Sequence, residues 1–165
     1  MDKDASRRLA TVANYALVLK LKATVARLHE VDEELEDVVL ALKDDQEEVE
    51  TYTDDIADCR DRIEAVDEFV RELKAGNVPT IPDVASALED MTEEREEEES
   101  MLKLLIGARE CHEQQLQGLR AQFAALQEQR LALQKKSSQI CSFFGRSGIF
   151  DVVRQQLAEQ NPKML

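Results

Sequence analysis

The chain has 165 residues, 43% apolar and 34% charged, with no tryptophan and few other aromatics; this balance is too polar for a compact globule around one large core. Its five glycines and three prolines sit in a few places rather than at the regular intervals that a sheet needs for its turns, which argues against strand-rich folds. With a formal charge of −14, no run of about 18 apolar residues and a charged start from Met1 to Ala10, neither a membrane span nor a secretory leader is indicated, and a soluble intracellular protein is expected.

The charge is distributed unevenly. Residues 1–28 carry six basic and two acidic side chains, residues 29–102 carry six basic and 28 acidic, and residues 103–165 carry nine basic and five acidic. Cys59, Cys111 and Cys141 are odd in number and form no Cys-x-x-Cys pair. Neither a disulfide framework nor a structural zinc site follows, and a reducing compartment, cytoplasm or nucleus, fits best.

In chain order, the first predicted element is a helix over about residues 6–74, with Asp4 or Ser6 as its N-cap. Apolar residues recur every 3.5 positions without a slip. The a series is Asn14, Leu21, Leu28, Leu35, Leu42, Val49, Ile56, Ile63 and Val70, and the d series is Leu17, Thr24, Val31, Val38, Asp45, Tyr52, Cys59, Val66 and Leu73. Fifteen of these eighteen are apolar, a specific coiled-coil signature over more than eight heptads.

Residues 75–81, with Gly76, Asn77 and Pro79, break the pattern and predict a turn. Thr80 with Asp83 three residues later, and Pro82 between them, reads as the start of a second helix over about residues 82–140. Its a series runs Ile81, Leu88, Arg95, Leu102, Arg109, Leu116, Phe123, Arg130, Ser137, and its d series Val84, Met91, Glu98, Leu105, His112, Leu119, Leu126, Leu133, Ile140. This seam is weaker but holds one phase throughout. Two near-equal helices joined by a short turn predict an all-α fold, a long antiparallel coiled-coil hairpin over residues 1–140.

Closing the turn with Leu73 opposite Ile81 makes facing residue numbers sum to about 154. Asp45 then meets Arg109, Thr24 meets Arg130, Cys59 meets Arg95, Leu42 meets His112 and Ile56 meets Glu98. The Asp45–Arg109 pair is expected to lock the register rather than to add stability, because desolvation offsets much of the ionic attraction. The hairpin is expected to form a rod on the order of 90 Å long, acidic at its turn and basic at its open end. Residues 141–165 form the last predicted element, a turn around Phe143, Phe144 and Gly145 followed by a short amphipathic helix with Ile149, Phe150, Val153 and Leu157 on one face.

No catalytic constellation emerges. His29 and His112 lack the spacing of a metal pair and read as polar surface or seam residues. The acidic runs at residues 44–48 and 93–99 have no glycine-centred calcium loop and read as solvated helix faces, with docking of a basic partner at the acidic turn as the functional alternative. Gly145-Arg146-Ser147-Gly148 lacks phosphate-loop spacing. The basic residues near the open end, among them Lys3, Arg7, Lys20, Lys22, Arg130, Lys135 and Lys136, are diluted by acids and carry little aromatic interleaving, so nucleic acid is disfavoured as a partner. No cofactor is expected.

Apolar residues outside the seams are more informative. Val18, Val25 and Val39 share the e position of the first helix, with Leu19 and Leu40 beside them, and Leu104, Ile106 and Leu131 lie off the second seam. An isolated two-helix hairpin has no use for them, and a stripe at heptad spacing marks another helix. Together with Phe143, Phe144, Ile149, Phe150, Val153 and Leu157, they predict a surface for other coiled-coil chains, identical or different. The expected function is therefore that of a non-enzymatic structural or adaptor subunit, of the sort found in kinetochores, cytoskeletal or ciliary linkers and tethers. A holdase-type hairpin chaperone and a membrane-remodelling hairpin are the alternatives. The first would pair its hairpins with strands, and the second would want a basic first helix, whereas this helix turns acidic at Glu30.

Overall fold

The computed structural model describes residues 3–147. Two helices make up the fold among them, α1 (Lys3–Lys74) and α2 (Val84–Ser147), and they pack against each other as an all-α helical hairpin. The chain divides into two compact units, residues 1–39 with 121–165 and residues 40–120.

In the first unit the core is the cluster of Leu21, Ile140 and Phe144, the first and last of them fully buried, with Leu17, Val18, Val25 and Cys141 packed around it. Thr24 is buried and its hydroxyl donates to the Lys20 carbonyl at 2.7 Å, so a polar seam position is satisfied within its own helix. Asp32 accepts from Arg130 Nε at 2.6 Å. In the second unit Ile56, Cys59, Val66 and Leu73 are buried on α1, and the two helices run antiparallel: Asp45 meets His112, Cys59 meets Glu98, and Asp67 meets Arg95.

All eighteen α1 seam positions read from the sequence are buried or half-buried. In the second series Ile81 falls in the loop, and within α2 Val84, at the first turn, is the one exposed member. The period-3.5 pattern therefore chose the correct face of both helices.

The loop differs from the expected turn, and the register differs with it. α1 ends in a Schellman motif: Gly76 takes φ +73°, the Asn77 amide donates to the Glu72 carbonyl at 3.1 Å and the Gly76 amide to the Leu73 carbonyl at 3.2 Å. Thr80 lies inside the next turn, closed by the Ile81 amide on the Val78 carbonyl at 3.3 Å, and so does not cap α2. Asp83 does, its Oδ1 accepting from the Ser86 amide at 3.1 Å while its carbonyl accepts from Ala87 at 3.2 Å. An N-cap aspartate is at least as good as a threonine, and Pro82 fits directly before it.

Starting α2 later in the chain slides it along α1, so facing residue numbers sum to about 160 rather than about 154. The Asp45–Arg109 pair is accordingly not formed. Asp45 Oδ1 lies 2.7 Å from His112 Nδ1, and Arg109 Nε sits buried 3.7 Å from Glu113 Oε1, outside hydrogen-bond distance. Likewise Cys59 meets Glu98 instead of Arg95, and Arg130 meets Asp32 instead of Thr24.

Two further expectations change at the helix ends. Asp4 and Ser6 lie within α1, which is already helical at Lys3. At the other end the expected turn at residues 141–147 is helix, because Phe144 is drawn under Leu21 and the favourable burial extends α2 through Ser147. The amphipathic segment bearing Ile149, Phe150, Val153 and Leu157 lies outside the described residues.

Candidate functional site

The candidate site is a surface rather than a pocket, and it begins with what the seams leave over. In the first unit Val12 and Tyr15 are 67% and 65% exposed and Leu131 is 63% exposed, with Leu19, Val39 and Phe143 also open to solvent. In the second unit Leu40, Met101 and Leu104 are exposed, Leu104 to 70%. Scattered apolar residues are ordinary on any surface. Here they stand on helices whose inward faces are already occupied.

The residues expected to bind a partner divide three ways. Val39 and Phe143 are exposed as that role requires. Val18 and Val25 are half-buried against the Leu21, Ile140 and Phe144 cluster, because an e position at the edge of a seam can roll toward large neighbours and complete the core. Phe144 is fully buried inside the hairpin, with Phe143 set against its ring at 5.9 Å and 69°. These three contribute to the packing of this chain's own core. Val12, Tyr15 and Met101 escape a count of the strongest period alone. The signal that finds Val12 is a second 3-4 spacing on the opposite face of α1, and Tyr15 stands at the edge of that series.

The polar groups inside the second unit do structural work. The buried Cys59 thiol donates to the carbonyl and to a carboxylate oxygen of Glu98, both at 3.2 Å, and Arg62 Nε holds the other carboxylate oxygen at 2.8 Å. Burial pushes the Cys59 thiol up, and the adjoining carboxylate adds to this, so the group is a thiol and a hydrogen-bond donor rather than a nucleophile. The Arg62 guanidinium, helped by the thiol, holds Glu98 below the usual carboxylate range. Arg95 does the same to Asp67 while also pairing with Glu99. Tyr52 stacks on His112 at 5.6 Å and 29°, which fixes the imidazole against Asp45.

The Glu98 network predicts a pH dependence with a definite sign. Because the folded-state pKa of Glu98 is depressed, its contribution is fully present above the unfolded value of about 4.3 and is lost as pH falls through the lower folded value. In urea titrations, wild type should exceed Glu98→Gln in stability at neutral pH, and the gap should close below about pH 4. A gap that stays constant down to about pH 3 would remove the carboxylate from this role.

Among the described residues no group of three or more His, Cys, Asp or Glu side chains is placed to hold a metal ion, and no helix is long and apolar enough to cross a membrane. An open hollow in the second unit is lined by Asp55, Asp58, Arg62, Met101 and Leu105. Comparison of the chain with known protein families, with curated proteins and with solved structures found no match.

Proposed function

We propose that this protein is a non-enzymatic structural or adaptor subunit of a larger multiprotein coiled-coil assembly, of the kinetochore, cytoskeletal or ciliary linker, or tether type, and that it acts by helix–helix binding. The observation that carries this reading is the exposure of Leu40, Leu104 and Leu131, each more than 60% open, on helices whose seams are already filled. Full burial of an exposed leucine contributes roughly 1.5–3 kcal/mol, and a partner helix covering these faces gains the part of it that the hairpin leaves open. The net charge of −22 over residues 29–102 adds an attraction for a basic partner surface. A reducing compartment, cytoplasm or nucleus, suits the free thiols of Cys59, Cys111 and Cys141.

Proximity labelling in the source cell, followed by co-expression of the recovered neighbours and mass measurement in solution, tests the reading. The expected outcome is a single hetero-oligomer of defined mass that Leu104→Glu and Leu131→Glu disperse without loss of helicity. A stable monomer that recruits no neighbour, or a chain that suppresses aggregation of unfolded clients in place of binding folded helices, would replace this function by another.

A further inference from the structure

The outer face of α1 carries an apolar spacing of its own. Ala5, Leu9, Val12, Ala16, Leu19, Ala23 and Ala26 follow one another at alternating steps of four and three. That is the a/d spacing of a coiled coil, laid over about three heptads on the side of the helix away from the Leu17–Leu21 seam. Of these residues, Ala5, Val12, Ala16, Leu19, Ala23 and Ala26 are exposed. The next two positions in the same series are Glu30 and Glu33, so the apolar stripe ends there.

We propose that residues 5–26 of α1 form a second coiled-coil seam whose occupant is an acidic-flanked helix of another protein. This rests on the adaptor reading above and names the chemistry of one partner. The positions beside the stripe carry Arg8, Tyr15 and Lys22 on one edge and Lys20 and Arg27 on the other, with no acidic residue before Glu30 on either edge. Arg8 and Lys20 are exposed, while Arg27 already pairs with Glu30 and Glu34 at 2.9 Å. Charges at these flanks choose the partner of a coiled coil, and here they ask for glutamates or aspartates.

The flanks also exclude the nearer occupants. A second copy docking through the same stripe sets Lys22 against Arg27 in a parallel pair and like charges against one another in an antiparallel one. The continuation of this face along α1 supplies no seam for another copy either, since it reads Glu30, Glu33, Asp37, Leu40, Asp44, Glu47. Residues 148–165 carry two acidic and two basic side chains and so offer no complementary charge. A lipid surface would want bulky apolar residues, whereas four of the seven stripe residues are alanine, which buries little area and lets another helix come close.

The test uses the full chain and two labelled three-heptad peptides with alanine and leucine cores, one flanked by glutamate and one by lysine, read by fluorescence anisotropy. The glutamate peptide should bind at least tenfold more tightly than the lysine peptide, and more weakly as salt is raised. Val12→Glu with Leu19→Glu should abolish binding while far-ultraviolet circular dichroism stays unchanged, because both side chains are exposed in the hairpin. Lys20→Glu with Lys22→Glu should reverse the preference between peptides.

Equal binding of the two peptides, or binding indifferent to the Val12 and Leu19 changes, would overturn the proposal. So would sedimentation of the full chain with anionic vesicles of phosphatidylserine and phosphatidylcholine when neither peptide binds. Dominant crosslinks from Lys20 or Lys22 to Lys163 in the free chain would assign the face to the chain's own last residues and reject an external helix. If the peptides fail while Leu104→Glu still disperses the assembly, the adaptor reading stands and only this seam is wrong.

Discussion

Replacing Phe144 by alanine is expected to destabilise the first unit by about 3–5 kcal/mol, the largest loss available from any truncation there. Phe144 has no exposed surface, and Leu21 and Ile140 close over it. Removing the ring leaves a cavity that two aliphatic side chains on separate helices can fill only in part. Hydrogen exchange gives the sharpest readout. Amides of residues 14–28 and 133–144 should lose protection by roughly two to four powers of ten, and those of residues 56–73 should keep theirs, since openings can be local. Unchanged protection beside Leu21 would mean that Phe144 does not occupy the core.

Ile56→Asp is expected to have the second large effect, on the order of 5 kcal/mol, combining lost apolar burial with an unpaired carboxylate at a site 1% exposed. The site is poorly placed to absorb a negative charge, because the stretch around it is itself strongly acidic. Leu40→Asp supplies the control: the side chain is 61% exposed, so purified protein should keep its stability within about 0.5 kcal/mol. Urea melts of the two variants should separate widely. If both melt alike, the inward and outward faces of α1 have been assigned wrongly.

The faces of both helices were legible in the sequence because burial imposes a period, and a period survives in the residue types themselves. Leu21, Val31, Ile56 and Val66 could be placed without coordinates, and all are buried. Register was not legible to the same degree. It depends on the course of the loop, and setting Leu73 opposite Ile81 assumed a tighter turn than the one that leads to the Asp83 cap. That assumption moved every cross-helix partner, and with it the expected Asp45–Arg109 contact.

The exposure of apolar residues outside the seams was legible in part but not residue by residue. Val18 and Val25 sit at the seam edge, where sequence position alone does not say whether a side chain leans inward or outward. Phe144 looked like part of a turn because Gly145 follows it, yet a buried aromatic ring outweighs the modest helix penalty of one glycine. The outer stripe of α1 was hidden for a different reason: alanine contributes little to any hydrophobic tally, though its spacing is as regular as that of the leucines.

The thiols give the molecule an internal gauge of its own breathing. Cys111 stands in solvent and Cys59 is sealed beneath Glu98, so an alkylating reagent will modify the first at the reagent's ordinary speed. It reaches the second only during excursions that part the helices there, and the ratio of the two rates measures how often such excursions occur.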